Sequence, residues 1–455
     1  MFNIIPSSDQ DWKRKIVFWR RNLVFWAGAI VVGVSASLFA MASEHANKVF
    51  HLLLAESVFL PVVVTPLGFV LVAVLTNRYF PGSQGSGIPQ TIAALSLTSD
   101  TSRNKLLSVR IVIGKIFLTL LGLFSGASMG REGPTVQIGA SIMHALRGFA
   151  HFPRHDLEKG LILAGGAAGV AAAFNTPLAG IVFAIEEMSR SFEHRTSGTI
   201  LISVVLAGMT AQSMLGNYTY FGHTSAYINL GWQWSAVAIC GVVGGFLGGF
   251  FSRMLLLFSQ KLPQRLQKFR HEHPVQFVAL CGFTLAMLGL ASGSTIYGSG
   301  YFEANLLLEG KQSLPESFGI LKMAATFVSY LSGLPGGLFA PALATGAGLG
   351  ANLTYLMPYV PAGAVVILGM VAYFSGVVQA PITAFVIVME MTENHDIVLP
   401  LMATSFIAFT ASRLVCPKPL YQTLAQGFLQ EMEINAPKQK SPPDVGSDTM
   451  KNRIG

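Results

Sequence analysis

Charged residues are scarce in this sequence of 455 residues. Asp, Glu, Lys and Arg make up 11% of it and hydrophobic residues 52%, whereas roughly 25% of a soluble globular protein is charged. The mean hydropathy is +0.54. Because so few charges cannot cover a water-facing surface of this size, the composition excludes a soluble protein. We therefore predict an integral membrane protein, and the apolar runs described below indicate that it is all-α.

Cysteine is equally scarce. Cys240, Cys281 and Cys416 lie far apart, and no Cys pair or His/Cys cluster has the spacing of a metal site. We expect no metal and no cofactor. The net charge of +8 does not indicate nucleic acid as a partner, because the Lys and Arg residues lie in short clusters between apolar runs. That placement is typical of cytoplasmic loops in membrane proteins.

One glycine-rich stretch imitates an enzyme motif. Residues 165–169, with Glu186 about twenty residues further on, resemble a dinucleotide-binding fingerprint. That fingerprint needs a strand before it and a βαβ unit around it, whereas the flanks here are apolar and rich in Ala. Close helix packing by small residues explains the stretch better, so we expect no enzymatic activity.

The apolar runs predict the domain organisation. A helix needs about 20 residues to span a bilayer, and several runs, such as 111–124 and 160–174, are shorter and flanked by Gly or Pro. Such segments are typical of discontinuous transporter helices. Basic residues interleaved with Trp predict a cytoplasmic amphipathic helix over residues 1–21. Residues 22–430 form one membrane transport domain, and the polar residues 431–455 a disordered cytoplasmic tail.

The sequence contains an internal repeat. Residues 175–188 resemble residues 379–391, each with a proline near its start. Upstream, Pro134 lies 43 residues before the first of these prolines and Pro341 lies 40 residues before the second. A Gly-Ser-Gly triplet also occurs in each half. Three matched landmarks in the same order indicate two related halves.

Basic clusters indicate how the two halves are oriented. The cluster at 13–21 precedes the first long apolar helix, whereas the cluster at 261–270 follows the corresponding helix near 234–258. If both clusters stay in the cytoplasm, the two helices run in opposite directions. We therefore predict an inverted repeat of roughly 22–215 and 232–430, which is a transporter architecture.

Three loops place glycine and proline at the start of a short helix. They are residues 85–89 (GSGIP), 130–134 (GREGP) and 336–341 (GGLFAP). Proline suits the first turn of a helix, and glycine lets the backbone approach a ligand closely. The free N–H groups and the positive end of the helix dipole attract anions. Three such helix starts predict a site for one dehydrated small anion.

These loops resemble the signatures of the CLC family of chloride channels and chloride/proton antiporters. All three family signatures, GSGIP, G(K/R)EGP and GxFxP, occur in order, and residues 418–421 resemble the family's C-terminal tyrosine segment. The resemblance covers about 23–430. It implies a prokaryotic-type CLC bundle of tilted, discontinuous helices without CBS domains. It also implies a multi-pass homodimer in the cell inner membrane that transports chloride.

The family resemblance also implies which residues bind the anion. Ser86 and Tyr421 are expected to give their hydroxyls to a central chloride. Leu338 and Phe339 are expected to give backbone N–H groups to the same ion.

A second group of residues is implied to form the gate. Glu132 is the expected gating glutamate, whose carboxylate occupies an anion site, swings out and takes a proton. The backbone N–H groups of Arg131 and Gly133 are expected to bind chloride as well. The Arg131 side chain should instead face water or a carboxylate, because a direct ion pair would trap the ion.

Glu187 bears on the choice between exchange and passive conduction. In the family, exchangers carry an acid here that accepts cytoplasmic protons, so the resemblance favours chloride/proton exchange. The alternative is a passive voltage- or pH-gated chloride channel, with Glu187 as a polar helix end. Glu390 is interpreted as its counterpart in the second half, without a transport role.

Two further residues carry expectations. Lys115 lies inside an apolar run, and a buried lysine needs a partner, so we expect a carboxylate beside it. Gln90 stands where family members often have Glu, so proton routing could differ in detail.

Overall fold

The computed structural model describes residues 8–149, 155–189, 197–216, 220–222, 224, 226–260, 264–310 and 314–434. Helices joined by short loops make up most of these residues. The first half contains α1 Ser8–Glu56, α2 Pro61–Tyr79, α3 Ile88–Ser96, α4 Asp100–Leu106, α5 Val109–Phe124, α6 Glu132–Leu146, α7 His155–Phe174, α8 Pro177–Phe183 and α9 Ser197–Leu215. The second half contains α10 Ser235–Gln260, α11 Gln264–Glu272, α12 Pro274–Ala291, α13 Tyr301–Glu309, α14 Phe318–Leu331, α15 Phe339–Leu353, α16 Ala362–Val378, α17 Pro381–Thr392, α18 Val398–Val415 and α19 Leu420–Ile434.

Within the described ranges, seven helical stretches are long and apolar enough to cross a membrane. They are Lys15–Glu56, Pro61–Tyr79, Asp100–Phe124, Gly198–Leu215, Trp232–Ser259, Pro274–Ala291 and Val398–Val415. This confirms the predicted all-α, multi-pass membrane protein.

The centre of the bundle consists of shorter helices that approach one another closely. A Cβ on Gly139 of α6 or on Gly165 of α7 would overlap the other residue's carbonyl oxygen. Gly346 of α15 and Gly369 of α16 meet in the same way. The glycine-rich stretch around Gly165 is therefore a helix-packing surface, as predicted.

Helix packing repeats between the two halves. Helix α6 packs on α7 and α7 on α9, just as α15 packs on α16 and α16 on α18. Where the halves meet, Gly130 and Gly337 exchange two backbone hydrogen bonds, at 2.8 and 2.7 Å. A contact in which each half gives and receives the same bond is the signature of a local twofold axis. The two halves are thus related by a twofold axis, as the predicted repeat requires.

Two carboxylates cross between the halves in the same reciprocal manner. Glu390 of α17 accepts two backbone N–H groups in the first turn of α8, at 3.1 and 2.7 Å. Glu186 accepts two in the first turn of α17, at 3.0 and 2.6 Å. Each carboxylate therefore caps a helix of the other half. Glu390 is the counterpart of Glu186, so the interpretation that matched it to Glu187 was wrong.

The first and last helices have different bounds from those predicted. The stretch predicted as a surface helix continues without a break into the first span, because α1 comprises 49 residues. At 1.5 Å per residue this helix is about 74 Å long, far more than a bilayer requires. Helix α19 extends to Ile434, four residues into the predicted tail. Residues 435–455 lie outside the described part of the chain.

Candidate anion-binding site

The three predicted loops meet at the centre of the bundle. Gly336 donates its N–H to the Gly85 carbonyl at 3.1 Å, and Gly337 is paired with Gly130. Gly87, directly before α3, has a φ of +97°, a conformation that favours glycine. The first turns of α3, α6 and α15 are thereby brought to one place. Their free N–H groups create a positive region without a full positive charge.

Glycine is required here because the loops touch. A Cβ on Gly133 would overlap the Ser86 hydroxyl oxygen and would lie 3.2 Å from the Gly337 Cα atom. Gln90 holds the first loop closed, since its side chain donates to the Gln84 carbonyl and accepts the Gly87 N–H at 3.1 Å. The residue that departs from the family pattern therefore has a structural role in shaping the loop.

Two buried hydroxyls lie beside these helix starts. Ser86 and Tyr421 are 1% and 0% exposed. Helix α19, which carries Tyr421, packs against α3. The hydroxyls lie close to each other, yet neither meets hydrogen-bond geometry with any group in the described part of the protein. The centre of the Phe339 ring lies 6.0 Å from that of the Tyr421 ring. Buried hydroxyls are rarely left without a partner, so this pair fits an anion as ligand.

Glu132 stands at the junction of two helix starts. It is fully buried, and its carboxylate lies close to the backbone N–H groups of Glu132 itself and of Ala340, at the first turns of α6 and α15, although Oε2 meets hydrogen-bond geometry with no group in the described part of the protein. Tyr220 donates its hydroxyl to Oε1 at 2.8 Å. The carboxylate thus occupies a position where helix N-termini would otherwise hold an anion.

A cavity of about 1200 Å³ leads to Glu132. Its lining includes Glu44, Lys48, His51 and Arg131, whereas Ser86 and Tyr421 are not part of it. Glu132 therefore separates this cavity from the buried hydroxyls, which is the arrangement expected of a gate.

The Arg131 side chain turns away from the hydroxyls and towards α1. Its Nη1 atom donates to the Ala40 carbonyl at 2.6 Å and lies 3.8 Å from the Glu44 carboxylate. This agrees with the expectation that the guanidinium faces a carboxylate and is not a ligand of the central anion.

Glu187 is buried within a π-helical turn, Ala184–Ser189, a distortion often found at functional sites. The residue is 1% exposed. Its carbonyl accepts the Gln422 side-chain N–H at 2.8 Å, which fixes the turn to α19 beside Tyr421. Both Glu187 and Glu132 act electrostatically on the Tyr421 hydroxyl. The structure therefore places two buried carboxylates around the same pair of hydroxyls.

Lys115 has a different partner from the one predicted. Its ammonium donates to the carbonyls of Ser83 and Gly85, both at 2.7 Å, and lies 3.5 Å from that of Gln84. The expected carboxylate pairing is wrong. Its partners are instead the backbone carbonyls of residues 83–85. Lys115 therefore anchors the loop that carries Ser86.

Lys322 of α14 mirrors Lys115 in the second half. It donates to the carbonyls of Ile296 and Gly298, both at 2.8 Å, with that of Tyr297 at 3.3 Å. The sequence could have indicated this lysine, because it too lies inside an apolar run and follows a Gly-Ser-Gly triplet.

The fold is that of a multi-pass membrane protein, and its two related halves enclose the candidate anion site. Comparison with known proteins identifies its family. The family model described as "Voltage gated chloride channel" matches residues 68–413, and the chain belongs to that family.

Several relatives and solved structures resemble the whole chain. The H(+)/Cl(-) exchange transporter ClcA of Klebsiella pneumoniae subsp. pneumoniae is 32% identical, with 91% of each chain covered. The ClcA of Yersinia pestis bv. Antiqua is 29% identical, with 92% of each covered. The structure of a slow cyanobacterial Cl-/H+ antiporter is 26% identical with a TM-score of 0.76, covering 91% of this chain and 99% of that one. A CLC-type fluoride/proton antiporter, at 23% identity and a TM-score of 0.75, covers 88% and 97% and shares the fold.

Proposed function

We propose that this protein is a secondary active transporter that exchanges chloride for protons across the membrane. The observation that carries the proposal is the pair of buried carboxylates, Glu132 and Glu187, around the Ser86 and Tyr421 hydroxyls. An ionisable residue in a membrane protein interior is costly and marks an ion or proton path. Relatives at 29–32% identity are named H(+)/Cl(-) exchange transporters.

The anion is held at the centre by partial charges. The hydroxyls of Ser86 and Tyr421 donate to chloride from one side, and the backbone N–H groups of Leu338 and Phe339 donate at the start of α15. These donors are neutral, so they bind a dehydrated anion without trapping it as an ion pair would. Hydroxyl and amide groups also donate to bromide and nitrate, so both of these anions should bind as well.

Glu132 acts as both gate and proton carrier. In the closed position its carboxylate competes with chloride for the N-terminal turns of α6 and α15, including the N–H groups of Arg131 and Gly133. When chloride takes that place, the carboxylate leaves and binds a proton. Glu187 accepts protons on the cytoplasmic side and exchanges them with Glu132, so that chloride and protons move in opposite directions.

The membrane location and the assembly are part of the same proposal. The proposed location is the bacterial inner membrane, since the named ClcA relatives are bacterial. The basic start of α1 faces the cytoplasm under the positive-inside rule. Exposed apolar residues such as Leu201, Ile202 and Val205 on α9 supply surface for lipid and for a second subunit, and the proposed assembly is a homodimer with one pathway in each chain.

The test is proton movement driven by chloride alone. Vesicles containing the purified protein are loaded with chloride, and chloride is diluted outside while a potassium ionophore carries compensating charge. The interior is set slightly more acidic than the exterior. Exchange predicts that chloride efflux draws protons inward against their gradient, so the external solution becomes alkaline. Chloride efflux without that signal would mean a passive channel and would reject the proposed exchange.

A further inference from the structure

Tyr220 lies between the two repeats, and no sequence motif marks it. Its hydroxyl donates to Glu132 Oε1 at 2.8 Å. Its ring packs edge-on against the rings of Phe174 and Tyr301, with centroids 5.6 and 5.0 Å apart. The Arg131 guanidinium lies 5.7 Å from the ring centre. The tyrosine is therefore held from several directions, with its hydroxyl pointed at the gate.

The backbone beside this ring is fixed as well. Phe221 donates its N–H to the Met391 carbonyl near the end of α17, at 3.0 Å, and Tyr220 itself is 4% exposed. A donor whose ring and backbone are both anchored keeps its geometry, which is what a positioning residue requires.

The hydrogen bond lies where the cavity ends. Tyr220 and Glu132 both line the cavity of about 1200 Å³, and the carboxylate reaches the turns of α6 and α15 from there. Because the Tyr220 ring and backbone are anchored, movement of the Glu132 carboxylate away from those turns strains its 2.8 Å hydrogen bond to Tyr220. Hydrogen bonds to charged groups are among the stronger ones in proteins. Tyr220 therefore opposes the same movement that admits chloride.

We propose that Tyr220 is a positioning residue that latches the Glu132 carboxylate in its closed place and sets how readily chloride displaces it. The inference rests on the proposed gating role of Glu132. Chloride and the carboxylate compete for the same N–H groups, so loss of the latch shifts the competition towards chloride. The ratio of chloride to protons is unchanged, because both carboxylates remain.

The test variant is Tyr220→Phe, which removes only the hydroxyl, with Tyr301→Phe as a matched control on the neighbouring ring. Chloride efflux from vesicles is measured against chloride concentration. The half-saturating chloride concentration should fall by about tenfold or more in Tyr220→Phe, since tenfold is close to the lower end of the range for one hydrogen bond to a charged group. Tyr301→Phe should match the wild type. An unchanged half-saturating concentration in Tyr220→Phe would overturn the latch.

A second experiment, in the Glu132→Ala variant, distinguishes a latch from a role of Tyr220 in packing alone. In Glu132→Ala there is no carboxylate to hold, so adding Tyr220→Phe should change nothing further. An equal effect of Tyr220→Phe in both backgrounds would show that the tyrosine acts through its packing and would reject the proposal.

Chloride flux is the readout, so a channel without proton coupling leaves the test intact. If wild-type vesicles pass no chloride, the proposed function fails. In that case the latch is tested by calorimetric measurement of chloride binding in detergent. The latch predicts that Tyr220→Phe binds chloride more tightly than the wild type, and equal affinity would reject it.

Discussion

Replacing Glu186 with alanine is expected to weaken the join between the two repeats. The substitution removes the carboxylate that accepts the N–H groups of Ile382 and Thr383, at 3.0 and 2.6 Å. Those groups belong to the first turn of α17, where the helix itself supplies no acceptor. Glu390→Ala should have the same effect on the first turn of α8, because its two bonds have the same geometry.

The expected size follows from these bonds. A hydrogen bond to a charged group contributes about 1.5–3 kcal/mol net when buried. One bond of each pair is exposed to solvent and contributes less. Each alanine variant should therefore lose about 2 kcal/mol of stability. If that loss falls entirely on the unfolding barrier, the half-life at a fixed temperature shortens by about 30-fold.

The assay is the decay of the monodisperse peak in size-exclusion chromatography after heating in detergent. Glu56→Ala serves as control, since Glu56 is an exposed carboxylate at the end of α1. The reasoning predicts similar losses for Glu186→Ala and Glu390→Ala. It is refuted if both variants decay at the control rate, or if only one of them is destabilised.

Three further predictions concern the anion site. Tyr421→Phe removes one of the two hydroxyls proposed to bind the anion, so the chloride dissociation constant measured by calorimetry should rise by about tenfold; an unchanged constant contradicts the assignment. Gly133→Ala places a Cβ against the Ser86 hydroxyl and should abolish chloride binding in calorimetry, whereas Gly148→Ala, with nothing within 4 Å of the added Cβ, should bind normally. Lys115→Met leaves one buried and one partly buried carbonyl without their donor and should cost about 2–4 kcal/mol, seen as faster loss of the monodisperse peak on heating; wild-type decay would contradict that role.

Local chemistry explains what could be predicted from the sequence. A helix start that binds an anion needs glycine and proline within a few residues of each other, so residues 85–89, 130–134 and 336–341 pointed directly to the candidate site, and the structure brings these three loops together. The repeat was visible because both halves keep these same local features. Low charge and the apolar runs were sufficient for the membrane fold.

Contacts between distant segments could not be predicted in this way. Tyr220 lies 88 residues from Glu132, and its own segment contains no motif. The sequence showed that Lys115 is buried, but it could not show which groups Lys115 binds. Every residue has a carbonyl oxygen, so carbonyl partners leave no pattern in the sequence. The pairing of Glu390 with Glu186 depends on which residue reaches across to the other half, and one position of ambiguity in matching the repeats was enough to select Glu187 instead.

Parallel recording of chloride and proton fluxes for Glu187→Gln tests the central claim most directly. The claim is that two buried carboxylates couple the ions, so Glu187→Gln should retain chloride efflux within several-fold of the wild type while chloride-driven proton entry falls to background. Glu186→Gln, a change at the adjacent helix-capping residue, should keep both fluxes coupled. Proton entry by Glu187→Gln at the wild-type ratio to chloride would contradict the account.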